Sequence, residues 1–158
     1  SDDTGNFMRV LFVDFSKAFE LIDHSVLHNK LNDCQFSSHL SAWTLSFLDS
    51  RTQFVRVGKS VSSVLSTNAG APQGTRAGPN DFKLVVNDLK FNVPCIKYVD
   101  DVTVASVSSD CNDNGLQHAS EQLVDWCNCN GMRLNKRKTK EMLLHFGKKN
   151  SIYNRSAL

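Results

Sequence analysis

The stretch Tyr98-Val99-Asp100-Asp101 decides the fold, because its two adjacent carboxylates stand between two short apolar runs. This pattern predicts a strand, a tight turn and a second strand, with both acids at the tip. A third acid, Asp14, ends another apolar run. Taken alone, Asp14 is typical of a solvated strand end and the acidic pair is typical of a turn. Together, at the ends of strands expected to be adjacent, they predict a site for divalent cations, which bind carboxylate oxygens and catalyse phosphoryl transfer.

Hydrophobic periodicity predicts the elements around this hairpin. The second helix is expected to bury Leu40, Trp43, Thr44, Phe47 and Leu48, which recur at helical spacing. The element order predicts an α+β fold of the ferredoxin-like βαββαβ type, an antiparallel sheet with helices packed mainly on one face. The predicted elements are a strand at 7–13, helices at 16–31 and 40–48, a hairpin at 53–65, a helix beginning at Pro79, strands at 95–99 and 102–107, a helix at 116–127 followed by Gly131, and a strand at 140–146.

Length and composition are those of one domain with a substantial core, since the chain has 158 residues and 41% hydrophobic residues. Residues 1–132 carry 10 basic and 15 acidic side chains, a net −5, whereas residues 133–158 carry 8 basic and 1 acidic, a net +7. The basic end indicates either contact with a polyanion or a solvated terminal segment. The five cysteines form no CxxC pair and are expected to be reduced thiols of an intracellular protein. No signal peptide or membrane span is predicted.

Four segments in order resemble the catalytic segments of reverse transcriptases, in the form used by non-LTR (LINE-type) retrotransposons. The resemblance covers about residues 9–146 and implies the polymerase palm fold, with a palm core at about 7–146. It also implies that the 158 residues are a single-domain fragment whose fingers and thumb belong to missing segments of a longer polyprotein. The segments are Asp-Phe-Ser-Lys-Ala-Phe at 14–19, Ala-Pro-Gln-Gly at 71–74, Tyr-Val-Asp-Asp at 98–101, and Trp-Cys at 126–127 followed by Asn-Gly-Met-Arg-Leu-Asn at 130–135 and Lys-Thr-Lys at 138–140.

The resemblance implies a catalytic centre with two Mg²⁺ ions, for which Mn²⁺ can substitute. Asp14 and Asp100 are expected to bridge the ions, Asp101 to assist, and the backbone carbonyl of Phe15 to act as a further ligand. Lys138 is expected near the leaving pyrophosphate, where a general acid helps the leaving group. Taken without the family, Lys138 is one surface lysine in a basic run.

The resemblance also implies contacts with nucleotide, template and primer. Phe19 is expected under the incoming sugar, where its ring blocks a 2′-hydroxyl, the group that distinguishes RNA from DNA. Without the motif, Phe19 is typical of a core residue and Pro-Gln-Gly of a turn. The residues implied as substrate contacts are Phe19, Gln73, Gly74, Arg76, Tyr98 and Val99.

The leading hypothesis is an RNA-directed DNA polymerase palm, with an RNA template, a DNA primer and dNTP as partners, no membrane, and a location in nucleus or cytoplasm. The alternative is a non-catalytic remnant that binds RNA or a protein partner. Two departures from the family pattern support the alternative: Ala77 replaces a usual Leu, and Asn80-Asp81 replaces apolar residues. A viral RNA-dependent RNA polymerase shares the palm, but Phe19 and the 98–101 segment favour DNA synthesis.

Overall fold

The computed structural model of the protein describes residues 7–109 and 114–146 and the backbone of 152–156. The chain divides into two compact units. The first, which we call the sheet unit, comprises Ser1–Ala18 and Asn87–Leu158, and the second, the helical unit, comprises Phe19–Val86. No helix in the described part of the chain has the length and apolar character needed to cross a membrane.

The described elements, in chain order, are nine strands and four helices, which confirms the α+β class. They are β1 (Phe7–Val13), α1 (His24–Asp33), α2 (Ser38–Leu48), β2 (Arg51–Gln53), β3 (Arg56–Val57), β4 (Ser60–Val61), β5 (Leu65–Thr67), α3 (Ala77–Val85), β6 (Cys95–Tyr98), β7 (Asp101–Ser108), α4 (Gly115–Cys129), β8 (Lys140–His145) and β9 (Ile152–Ser156).

The sheet unit contains a five-stranded sheet in the order β6-β7-β1-β8-β9, and every neighbouring pair is antiparallel. Strand β1 lies in the middle of the sheet, as its nearly continuous apolar sequence requires. Its one cation, Arg9, is partly buried and donates from Nε to Glu141 Oε1 of β8 at 2.7 Å. An ion pair that is also a hydrogen bond offsets the cost of partial burial. The sheet and its order therefore match the antiparallel βαββαβ prediction.

Helix α4 packs against β1 and β7 through the stripe predicted from sequence. Its buried residues are Leu116, Ala119, Leu123 and Cys127. Gly131 follows the helix with φ +66°, and the N–H of Met132 donates to the carbonyl of Cys127. This is the left-handed cap that was predicted. The described cysteines, namely Cys34, Cys95, Cys127 and Cys129, form no disulfide, and Cys111 lies outside the described residues.

In the helical unit, α1 begins at His24, eight residues later than the hydrophobic pattern predicted. Lys17 adopts φ 51°, and residues 16–21 form turns instead of helix. Asp23 caps the helix, because its carboxylate accepts hydrogen bonds from the N–H groups of Ser25 and Val26. The hydroxyl of Ser25 also donates to this carboxylate, and its hydrogen bond, together with those from the two N–H groups, lowers the pKa of Asp23 because all of them stabilise the charged form. A capping carboxylate at this point outweighed the apolar periodicity that continues on its N-terminal side.

Helix α2 confirms the predicted helix and part of its predicted buried face, since Thr44 and Leu48 are buried whereas Leu40 and Trp43 are exposed. Its buried residues are Ser41, Thr44 and Leu48, whereas Trp43 is 62% exposed. The ring of Trp43 stacks on Phe47, 6.1 Å between centroids, and Arg51 lies 5.2 Å from the Phe47 centroid. The spacing of apolar residues on a helix defines a stripe, but it does not tell which side of the helix the rest of the unit covers. In α2 the covered side includes the small residues Ser41 and Thr44.

Two short pairs and α3 complete the helical unit. β3 pairs with β4 around the predicted turn at Gly58, which has φ +60°, and β2 pairs with β5 outside it. Helix α3 begins at Ala77, two residues before Pro79, and its C-terminal half is buried as predicted. Asp81, expected at a helix start, lies one turn into α3 and is 4% exposed.

Candidate active site

Strand register brings two of the predicted acids to the same end of the sheet. Val13 of β1 pairs with Val102 of β7 as the last pair of this ladder, so Asp14 and Asp101 each adjoin that pair at the same end of the sheet. Residues directly opposite in a ladder project from the same face. Tyr98 of β6 pairs with Asp101 on the other side of β7. Tyr98 and Asp101 therefore share one face of the sheet, and Asp14 follows the last residue of β1 at the same end.

The turn that carries Asp100 has an unusual backbone. Val99 adopts φ 56°, a conformation that β-branched residues rarely take because the side chain meets the backbone. Such strain costs of order 1–3 kcal/mol and is typical of functional sites. The turn keeps its end of the sheet accessible: Asp101 is exposed, Asp100 is half-buried and Tyr98 is 76% exposed. Within the described residues, no group of three or more His, Cys, Asp or Glu side chains lies close enough to hold a metal ion.

The backbone of Asp14 is fixed by a segment 125 residues away in sequence. Its N–H donates to Thr139 Oγ1 at 3.3 Å, and its carbonyl accepts from the N–H of Asn135 at 2.8 Å. One residue on, Phe15 forms an isolated antiparallel bridge with Leu134. The loop after β1 is thus tied to the segment before β8, which contains the fourth motif.

Lys138 lies beside the first acid of the site. Its Nζ is 3.9 Å from Asp14 Oδ1, with Lys138 71% and Asp14 35% exposed. At this exposure the ion pair adds little to the free energy of unfolding. What it shows is that the ammonium of Lys138 lies next to the carboxylate of Asp14. The same segment exposes four further cations, Arg133, Lys136, Arg137 and Lys140. An acidic strand end is therefore bordered by a basic loop, a charge pattern that suits a phosphate ligand bound beside a cation.

Three of the predicted substrate contacts meet in one pocket of the helical unit. This pocket, of about 350 Å³, is lined by Phe19, Pro72, Gln73, Gly74 and Pro79. The half-buried Phe19 ring lies 5.3 Å from that of Phe82, so the residue both packs and faces the pocket. Gly74 has φ +78°, which a side chain would strain.

The predicted contact Arg76 is exposed and is not among the residues that line this pocket. Its carbonyl accepts a hydrogen bond from Asn80 Nδ2 at 3.2 Å. Asn80 thereby satisfies its amide within the first turn of α3, which explains how a polar residue is accommodated there. The structure gives Arg76 no role beyond this position at the start of the helix.

Sequence reasoning missed several residues of the site. Gln73 Nε2 donates to Glu20 Oε1 at 3.2 Å, so Glu20 orients the amide that faces the pocket. Gln73 and Glu20 also line a larger cleft of about 680 Å³ with residues of β2, β5 and the 68–72 loop. Asn135 and Thr139 were quoted only as parts of a motif, and nothing in their spacing indicated that they bind the Asp14 backbone.

Comparison with known proteins agrees with the geometry of the sheet unit. The family described as reverse transcriptase (RNA-dependent DNA polymerase) matches residues 2–154. The chain is 28% identical over 153 residues to the "Probable RNA-directed DNA polymerase from transposon BS" of Drosophila melanogaster, covering 87% of this chain and 16% of that protein. It is 28% identical over 139 residues to the "RNA-directed DNA polymerase from mobile element jockey" of the same species, covering 80% of this chain and 15% of that protein.

The chain thus spans less than a fifth of the length of these two relatives. The family match runs through all four motifs and through both compact units. Both relatives are polymerases of mobile elements, as the form of the fourth motif predicted. The chain therefore belongs to the reverse transcriptase family, in its LINE-type (non-LTR) branch.

Proposed function

We propose that this chain forms the palm of an RNA-directed DNA polymerase that adds deoxynucleotides to a primer 3′ end on an RNA template. The observation that carries the proposal is the register that brings Asp14 and Asp101 to the same end of the sheet, next to the strained turn that holds Asp100. Acids on adjacent strand ends repel one another, and this arrangement is useful only where a cation compensates them.

The donor set suits a hard divalent cation, because carboxylate and carbonyl oxygens are the ligands that Mg²⁺ prefers. Asp14, Asp100 and Asp101, with the backbone carbonyl of Phe15, are the residues that would hold two Mg²⁺ ions or Mn²⁺ in their place. Because no three acidic, His or Cys side chains of the described residues lie close enough to hold a metal ion in this structure, the ions would have to draw these carboxylates together. Bound there, the ions would lower the pKa of the primer 3′-hydroxyl and neutralise charge on the triphosphate.

The remaining roles belong to the protein's own side chains. Lys138, whose exposed ammonium lies 3.9 Å from the Asp14 carboxylate, would donate a proton to the leaving pyrophosphate. In the helical unit, Phe19 would exclude a 2′-hydroxyl from its pocket, and Gln73 with Gly74 would contact nucleotide and template. Tyr98 and Val99 would contact the primer end, and Arg76 would contact a phosphate. Template RNA, primer and dNTP are the proposed partners, encountered in nucleus or cytoplasm.

The experiment that tests this proposal is primer extension on an RNA template with Mg²⁺ or Mn²⁺. Asp100→Asn keeps the shape of the side chain and removes a charged ligand, so extension is expected to fall to background. The matched control is Asp125→Asn, an exposed acid on α4 of the same unit, which is expected to extend like the wild type. Full extension by Asp100→Asn would refute the metal-binding role.

A non-catalytic remnant that binds RNA or a protein partner is the second candidate. The observation that favours it is the carboxyl of Asp81, which is buried in α3 where the family pattern is apolar. This candidate predicts that the wild-type chain binds RNA without extending a primer, and that Asp100→Asn binds RNA equally well.

A further inference from the structure

The segment that joins α4 to β8 makes a compact turn at residues 135–139, which we call the 135–139 turn. The carboxamide oxygen of Asn135 accepts from the N–H of Arg137 at 3.2 Å and of Lys138 at 3.3 Å. The carbonyl of Asn135 accepts from the N–H of Lys138 at 3.1 Å and of Thr139 at 2.8 Å. An Asn side chain that binds the backbone two and three residues ahead fixes the shape of a turn.

Both ends of this turn also bind Asp14. The N–H of Asn135 donates to the carbonyl of Asp14, and the hydroxyl of Thr139 accepts from the Asp14 N–H. Thr139 is completely buried, whereas the Asp14 side chain is 35% exposed. The turn therefore binds both the N–H and the carbonyl of Asp14, whereas the Asp14 carboxylate stays partly exposed and accessible to a ligand.

The middle of the turn carries Lys138, whose ammonium lies 3.9 Å from the Asp14 carboxylate. Lys138 has a long, exposed side chain, so its rotamer is not restrained by packing. What restrains its position is its backbone, which the Asn135 carboxamide and carbonyl both bind. The 135–139 turn therefore sets the location of the Asp14 carboxylate and of the Lys138 ammonium beside it.

We propose that Asn135 and Thr139 are positioning residues of the active site, Thr139 for the Asp14 carboxylate and Asn135 for the Lys138 ammonium. The inference rests on the proposed function, since it assigns these residues to the reaction proposed above. Some residues do not touch the metal or the substrate but form a hydrogen bond to a residue that does. Replacing such a residue commonly lowers metal affinity or activity by about 10–100-fold.

The first experiment tests the contact with Asp14 and needs neither metal nor substrate. Amide hydrogen exchange at Asp14 is measured in the 158-residue chain with Thr139→Val, which keeps the shape but has no hydroxyl, and with Thr139→Ser, which keeps the hydroxyl. Exchange is expected to accelerate at least about tenfold in Thr139→Val and to stay near the wild-type rate in Thr139→Ser. Equal rates in the two variants would overturn the assignment of Thr139.

The second experiment measures Mn²⁺ affinity by electron paramagnetic resonance in the same proteins. Thr139→Val is expected to weaken Mn²⁺ binding roughly 10-fold or more, and Thr139→Ser is expected to restore it. If the wild type and Asp100→Asn bind Mn²⁺ equally, the proposed function fails. If only Asp100→Asn loses Mn²⁺ while Thr139→Val retains it, the proposed function stands and the positioning role is wrong.

The third experiment separates the Asn135 role from general folding. Extension rates are compared for Asn135→Ala, for Asn135→Asp, which keeps an acceptor oxygen, and for Lys138→Ala alone and combined with Asn135→Ala. If Asn135 positions Lys138, Asn135→Ala should lower kcat with little change in the KM for dNTP, and Asn135→Asp should recover the wild-type kcat. The double variant should then have a kcat no lower than that of Lys138→Ala alone. Independent, multiplicative losses would show that Asn135 does not act through Lys138.

Discussion

The buried carboxyl of Asp81 makes the stability of this chain depend on pH in a way that one substitution removes. Asp81 is 4% exposed, and its Oδ2 has no hydrogen-bond partner among the described residues. Burial without a compensating partner disfavours the charged form, and it raises the pKa of this carboxyl from 3.8 to about 6, although the nearby His24 acts in the opposite direction. The helical unit therefore holds a group that ionises more readily when the chain unfolds.

The sign and size follow from proton linkage. Below pH 3.8 the carboxyl is protonated in both states, so it has no effect on the free energy of unfolding. Between pH 3.8 and about 6 the unfolded chain releases the proton while the folded chain retains it, so stability falls as pH rises. At about 1.36 kcal/mol per pH unit, the total loss above pH 6 is at most about 3 kcal/mol.

Asp81→Asn is the variant that tests this reasoning, because it keeps the shape and cannot ionise. Its buried amide costs about 1–3 kcal/mol, but that cost does not change with pH. We therefore expect the free energy of unfolding of Asp81→Asn minus that of wild type to be about 2–3 kcal/mol higher at pH 7.5 than at pH 4, so that the variant is relatively more stable at the higher pH. Urea denaturation at a series of pH values measures this difference.

Asp33→Asn is the matched control, since Asp33 is an exposed acid in α1 of the same unit. Its stability relative to wild type is expected to stay within about 0.5 kcal/mol across the pH range. If the free energies of unfolding of Asp81→Asn and wild type change equally from pH 4 to pH 7.5, Asp81 is charged or solvated in the folded state and the reasoning is refuted. Asp81→Leu should stabilise the chain further at pH 7.5, because it restores an apolar residue at a buried position.

Two further predictions concern the loop and pocket of the helical unit. Gly70→Ala should destabilise the chain by about 2 kcal/mol or more in urea denaturation, because its φ is +88° and a Cβ would lie 2.9 Å from the Phe19 carbonyl. Gly58→Ala, at φ +60° in open space, should cost only about 1 kcal/mol, and equal losses would contradict the close approach. Phe19→Val should admit ribonucleotides in primer extension by opening the pocket, whereas the exposed control Phe36→Val should not, and unchanged sugar selectivity would exclude Phe19 as the selecting residue.

The strands were predictable because their signal is local. A continuous apolar run defined β1, and two runs around an acidic turn defined β6 and β7. The errors arose where a distant or capping contact decided the outcome. The start of α1 was misplaced because Asp23 caps the helix in the middle of an apolar pattern. The buried face of α2 was predicted only in part, with Thr44 and Leu48 right and Trp43 wrong, because periodicity does not tell which side of a helix the fold covers.

The sequence by itself determined that this chain belongs to the reverse transcriptase family, since the acids, the turn and the four motifs lie in local stretches of the chain. Only the tertiary structure decided that Asp14 and Asp101 lie at the same end of the sheet, that Lys138 lies 3.9 Å from Asp14, and that Thr139 binds the Asp14 backbone. These are contacts between residues up to 125 positions apart. Strand register and turn geometry create them, and no periodicity or local propensity in a sequence encodes a pairing at such a distance.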